Sequence, residues 1–159
     1  MRHILSLIAA MFLCSLCLSV AADSDGFVRI APEQVVFKGT PAFSQAVLYG
    51  DPSKPGIYVV RVKFGPGVHT NPHTHSQDRH VTVIKGLWWM GVGTTVDVTK
   101  AIPMKVGSYA VHPAGAAHYD GAGDEETIVQ IMGMGPVDTV PVDPKAERTS
   151  VWKTPIVPN

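Results

Sequence analysis

The chain has 159 residues, 45% hydrophobic and 16% charged, with 13 basic residues set against 13 acidic ones. That balance leaves no basic stripe of the kind that grips nucleic acid, and such partners are excluded. The only two cysteines, Cys14 and Cys17, lie near the N-terminus, which excludes disulfide staples, thiolate ligands and thiol catalysis from the rest of the chain.

The first residues, Met1-Arg2-His3, lead into an apolar run from Ile4 to Val20 that ends on Ala21-Ala22, ahead of Asp23. A short positive start, an apolar stretch and a small-residue exit predict a cleavable secretory signal peptide over 1–22, and so a periplasmic or secreted protein. The competing reading, a membrane anchor, lacks positive charge after the run, and neither cysteine is preceded by the small residues of a lipidation site. Cleavage leaves about 137 residues, enough for one domain with its own core. No later segment is long and apolar enough to span a bilayer, so no membrane contact is expected after cleavage. The expected organisation is one domain over 23–136 and a proline-rich tail over 137–159.

Gly 15 and Pro 13, with few helix formers in sequence, lean toward an all-β fold. After an irregular lead-in, Gln34 to Lys38 is expected as a first strand and Gln45 to Tyr49 as a second. The turn-rich stretch from Gly50 to Gly56 should close a hairpin onto Ile57–Phe64. There Tyr58, Val60, Val62 and Phe64 alternate with Arg61 and Lys63, the pattern of a half-buried strand. A histidine-rich strand then runs to Gly86, and Lys85-Gly86 is expected to turn into Leu87–Gly93. Of the adjacent Trp88 and Trp89, one should face the interior and the other outward, where it could join a homodimer surface. Asp97 to Met104 makes an edge and a turn. Gly107–His112 and Ala116–Tyr119 are strands broken by Pro113-Ala114-Gly115, and Thr127–Met132 is one more. Beyond Gly135-Pro136 the tail is expected to wrap loosely or stay mobile. Many short strands in one mid-sized domain mean a sandwich or barrel.

Chemistry concentrates between Gly67 and Gly86, which hold His69, His73, His75 and His80. His73 and His75 are two apart, so on an extended backbone both rings point to one face. Two imidazoles side by side are half of a metal site, and His118, from a second stretch opening at Gly107, can supply a third. His69 is expected in a loop, and His112, alternating away from Tyr109 and Val111, at the surface or rim. Asp78 and Asp120 are the only acids near these motifs, and no serine-nucleophile or phosphate-loop motif is present.

These two stretches resemble the cupin motifs. Gly67, His73, His75 and Gly86 fall on G-x5-H-x-H-x3,4-E-x6-G, while Gly107, Pro113, Gly115 and His118 fall on G-x5-P-x-G-x2-H-x3-N, with Ala122 where Asn is usual. The resemblance covers about residues 34–133. It implies a double-stranded β-helix, the cupin jelly-roll barrel, with a divalent metal (Fe, Mn, Ni, Cu or Zn) held in its mouth by the motif histidines. Many such proteins are oxygenases, isomerases or lyases; others are metal-free binding modules. The chain departs from the motif at its acidic ligand: the x6 spacing back from Gly86 puts Arg79 there. Arginine stays protonated and has no lone pair to offer a metal. His80 is the alternative ligand, but it needs a bulge, since parity points Arg79 inward and His80 out.

The expected site is therefore His73, His75 and His118, with Arg79 beside them. A guanidinium about 5 Å from a divalent ion repels it by a few kcal/mol, and an anion bridging both would relieve that cost. A small, anionic ligand is thus expected, with Arg79 as its anchor and Tyr119 as a second contact or an orienting group. Catalysis on that molecule and binding or sensing without turnover both remain open, because a fold does not fix a reaction.

Overall fold

The computed structural model describes residues 24–152; the signal-peptide expectation falls outside them. Thirteen strands follow one another: β1 (Lys38–Gly39), β2 (Phe43–Tyr49), β3 (Gly56–Phe64), β4 (Val68–Thr70), β5 (His73–His75), β6 (Arg79–Lys85), β7 (Trp88–Val92), β8 (Ile102–Met104), β9 (Tyr109–His112), β10 (His118–Ala122), β11 (Thr127–Gly135), β12 (Thr139–Pro141) and β13 (Thr149–Val151). Among the described residues the only helical turn is a 3-10 turn at Pro32–Gln34. Every pairing is antiparallel. One sheet runs β1-β2-β3-β11-β6-β9, and the other runs β12-β5-β10-β4-β13, with β7 pairing to β10 and β8 to β7. The two sheets face each other around one interior, the jelly-roll architecture.

The alternation in β3 sets the core. Tyr58, Val60, Val62 and Phe64 are buried and meet Val81 and Val83 of β6, Val129 and Ile131 of β11, and Trp88 of β7. Each such side chain contributes roughly 1.5–3 kcal/mol by leaving water. Period-two geometry then fixes the rest of β6: with Val81 and Val83 inside, Arg79 is inside too, and His80 and Thr82 are outside.

Four expectations change. The strand expected over 34–38 shrinks to Lys38–Gly39, because Pro32 starts a 3-10 turn and Gln34 Oε1 accepts the Ala31 N–H at 2.7 Å. Lys85-Gly86 does turn the chain, but from one sheet to the other rather than into a hairpin. Gly86 has φ +75, and a Cβ there would sit 2.6 Å from the Glu126 carbonyl, so glycine is required. Trp88 and Trp89 do face opposite ways, yet both are buried: Trp89 packs with Tyr119 and Ala101 under Leu87, Val96 and Trp152, which leaves it no part in a dimer surface. Nor does the described part of the tail, 137–152, wrap loosely. β12 pairs with β5, Thr139 opposite His75 and Pro141 opposite His73, and β13 pairs with β4. Backbone hydrogen bonds thus tie the tail to the strands that carry the histidines.

Candidate metal centre

His73 and His75 are the ends of β5, and their shared parity sends both rings inward. His118 opens β10 directly opposite His73. The three rings are buried, and one nitrogen from each lies within 4.8 Å of the others. Each Nδ1 faces a backbone carbonyl: Asn71 at 2.8 Å for His73, Asp138 at 3.2 Å for His75, and Ala116 at 2.9 Å for His118. A carbonyl only accepts, so each Nδ1 carries the proton and donates it. The lone pairs are left on the three Nε2 atoms, the tautomer a metal needs. The Nε2 of His118 is buried without any partner. The donor set therefore fits a divalent ion of the kind imidazoles hold.

Arg79 does point inward, and its Nη1 donates to His75 Nε2 at 2.6 Å. That contact uses the lone pair a metal would take, so metal and guanidinium compete for one atom. Arg79 forms no ion pair with a carboxylate among the described residues, and its Nε has no partner. Gly133 of β11 lies opposite Arg79 in register, and a Cβ there would crowd the Tyr58 hydroxyl at 2.7 Å.

His80 lies on the outer face with Nδ1 at 2.6 Å from the Tyr109 hydroxyl, apart from the other three imidazoles. No bulge turns it inward. Tyr119 also falls away from the site. Its neighbours His118 and Asp120 face the cavity, so parity sends Tyr119 outward, where its hydroxyl donates to the Asp97 carbonyl at 2.7 Å. A substrate contact from it is not part of this geometry. His69 is buried on β4 rather than in a loop, stacked on Trp152 at 4.3 Å.

Two further residues reach the site, Asp120, one of the two acids near the motifs, and His112. Asp120 is buried on the cavity side and accepts from Thr70 Oγ1 at 2.7 Å. His112, expected at the rim, is 2% exposed. Its ring lies 3.8 Å from that of His118 and packs on Trp88, and neither ring nitrogen has a partner. The signal available was its place in the second motif, five residues beyond Gly107 and just before Pro113. The apolar character of Tyr109 and Val111 pointed the other way. A cavity of about 420 Å³ joins these groups to the apolar wall of β3.

The model of the family described as a domain of unknown function, DUF4437, matches residues 37–148. The chain belongs to this family. No curated protein matches it. Among solved structures it is similar to an RmlC-like cupin from Shewanella frigidimarina, with 14% identity and TM-score 0.53 over 65% of this chain and 86% of that one. The polyketide cyclase RemF of Streptomyces resistomycificus is similar at 16% identity and TM-score 0.56, over 70% and 84%. The DMSP lyase DddQ of Ruegeria pomeroyi is similar at 15% identity and TM-score 0.58, over 71% and 64%. The fold is that of a cupin.

Burial dominates the electrostatics of this DUF4437 protein. It pulls His75 down to about 2, helped by the charge of Arg79, and His112 to about 3, against the opposing pull of Asp120. His118 is lowered for the same reason, with Asp120 again resisting. For Asp120 itself burial works to raise the pKa, but the imidazoles of His112, His118 and His73, together with Thr70, outweigh it and hold the carboxyl low.

A pH prediction follows from the buried imidazoles. An unfolded histidine titrates near 6.5, so below that pH the unfolded chain takes up protons that buried His75 and His112 refuse. Their contribution is intact above about 6.5 and is lost as the pH falls toward the folded values. Each group should cost about 2 kcal/mol of stability between pH 7 and pH 5. Urea unfolding of metal-depleted protein at the two pH values measures the loss. In His112→Gln, whose amide does not titrate, the loss should shrink by about that amount; an unchanged pH dependence would contradict the burial.

Proposed function

We propose that this protein is an exported, metal-dependent cupin whose three-histidine centre acts on a small anionic molecule. The observation that carries the reading is the convergence of three buried imidazoles, one nitrogen of each within 4.8 Å of the others and each Nδ1 held by a carbonyl, in a cavity that also holds a guanidinium without an ion pair. His73, His75 and His118 would hold the ion, with Fe, Mn, Ni, Cu and Zn all compatible with imidazole donors. When bound, the metal supplies a Lewis acid that polarises an oxygen of the ligand. Arg79 then does two things: it orients the anionic group by a charge-assisted fork, and it neutralises negative charge among buried imidazoles. The similarity to proteins described as a polyketide cyclase and a DMSP lyase supports small-molecule chemistry on this scaffold. The apolar N-terminal run ending in Ala21-Ala22 supports export, and a mature N-terminus at Asp23 by mass spectrometry checks it.

Metal analysis tests the centre. Protein purified without added metal should carry near-stoichiometric iron, manganese, nickel, copper or zinc, and His73→Ala should lose it. A wild type without metal, unable to take up Zn²⁺ or Co²⁺, would remove the metal-dependent reading. One observation favours a second reading, a metal-free binding module: Arg79 already occupies His75 Nε2. In that case the metal-free wild type would bind anions with full affinity and turn over nothing.

A further inference from the structure

Arg79 is not the only guanidinium on the cavity. Arg148, on the turn leading into β13, lines the same space near its mouth. Its position is built into the fold. The Arg148 carbonyl accepts the Asn71 N–H at 3.1 Å, and the Asn71 side chain donates to the Glu147 carbonyl at 2.8 Å and to Ser150 Oγ at 2.9 Å. The Asn71 carbonyl, in turn, accepts the Nδ1 proton of His73 at 2.8 Å. A single residue, Asn71, thus links a metal-site imidazole to the segment that presents Arg148. The Arg148 guanidinium carbon lies over the Phe43 ring, 4.7 Å from its centre, a cation–π contact that helps hold its position.

Neither guanidinium is in direct contact with a carboxylate. Among the described residues no ion pair involves Arg79 or Arg148. Two carboxylates do line the cavity, but Asp120 is committed to Thr70, and the exposed Glu147 pairs with neither arginine. Asp120 is near enough to favour the charge of Arg79, and Arg148 is near enough to oppose it. The same cavity has an apolar lining that includes Val60, Val62 and Ile131. Two guanidinium groups without direct ion pairs, on one cavity with an apolar lining, match an occupant with two negative ends and an apolar middle.

We propose that the cavity takes a small dianion, two carboxylates or a carboxylate and a phosphate on a short carbon spacer. Arg79 grips one end beside the three imidazoles, and Arg148 grips the other at the mouth. This rests on the anionic-ligand reading above and narrows it to a class. The volume of about 420 Å³ suits a molecule of that size.

Calorimetric titration of the chelator-treated full chain tests it, so that no ligand is removed by binding metal. The probes are straight-chain dicarboxylates of three to six carbons and the monocarboxylates of matching length. The best dicarboxylate should bind at least roughly tenfold tighter than its monocarboxylate, the size of one added charge-assisted fork. Arg148→Gln should reduce that preference to about twofold or less, and Arg148→Lys, which keeps the charge without the planar fork, should fall between. Arg79→Gln should weaken both series. If the wild type binds the two series equally, or Arg148→Gln keeps the preference, the dianion assignment is overturned and the anionic reading stands. If neither series binds and Arg79→Gln changes nothing, both fall together.

Discussion

Arg79→Glu is expected to raise the affinity for Zn²⁺ or Co²⁺ by about a hundredfold or more. Three effects act in the same direction. The substitution removes the donor at 2.6 Å from His75 Nε2 and returns that lone pair to the ion. A charge-assisted hydrogen bond of this kind is worth roughly 1.5–3 kcal/mol, and one hundredfold corresponds to about 2.7 kcal/mol. The change also replaces a repelling cation by an anion in a buried site, where charges are poorly screened. Finally, it installs a carboxylate where Val81 and Val83 fix the strand's inward parity, so a fourth donor faces the three imidazoles. Arg79→Gln separates these effects, because it frees His75 without adding charge or a strong donor, and should fall between wild type and Arg79→Glu. Competition against a chromophoric chelator measures all three proteins. Equal affinities across the series would mean that the guanidinium does not hold His75 Nε2.

The same substitution carries a cost without metal. A carboxylate buried beside neutral imidazoles has no partner to offset its lost hydration. Metal-depleted Arg79→Glu should therefore unfold more easily than wild type and regain stability as metal is added, by mass action on the folded state. In the wild type this logic runs in reverse: Arg79 keeps the metal-free cavity in order and must give way when an ion arrives.

Parity made part of this site legible in advance. Once Val81 and Val83 are placed inside, Arg79 must follow and His80 must leave, and β6 obeys. His73 and His75 could be paired from their spacing alone, whereas His118 needed the second motif as well. His112 was misplaced because Tyr109 and Val111 are apolar and so looked internal. The outer face of that sheet is itself rich in exposed apolar side chains, among them Val47, Ile57, Met132 and Met134. In a barrel with a polar cavity, hydrophobicity no longer separates inside from outside, and only the register opposite Arg79 fixes His112. The tail was illegible for a different reason. β12 and β13 are three residues each, and Pro141 ends an edge strand where no ladder N–H is needed. Short edge pairings of that kind leave no period in the sequence, so Arg148 could not be placed near the histidines from sequence alone.

Gly121→Ala should lower stability by roughly 3 kcal/mol and the Tm by on the order of 10 °C. Gly121 lies on β10 three residues beyond His118, opposite His69 of β4 on one side and Trp89 of β7 on the other. A Cβ there would sit 2.3 Å from the Val68 carbonyl oxygen and 2.4 Å from the His69 Cα. Those are backbone atoms, so no rotamer change relieves the contact, and β10 or β4 must move as a whole. Because β10 carries both His118 and Asp120, that movement should reach the metal centre, and metal affinity should fall along with the Tm. Gly133→Ala makes an informative contrast. Its Cβ would meet the Tyr58 side chain at 2.7 Å and the nearest backbone atom, the Asp78 carbonyl oxygen, only at 3.1 Å, so the expected loss is smaller. Thermal unfolding of the two variants, with metal content measured on each, decides the matter. A Gly121→Ala protein that melts within about 2 °C of wild type would mean that β10 and β4 are spaced more loosely than this geometry requires, and that the position of His118 does not depend on their contact.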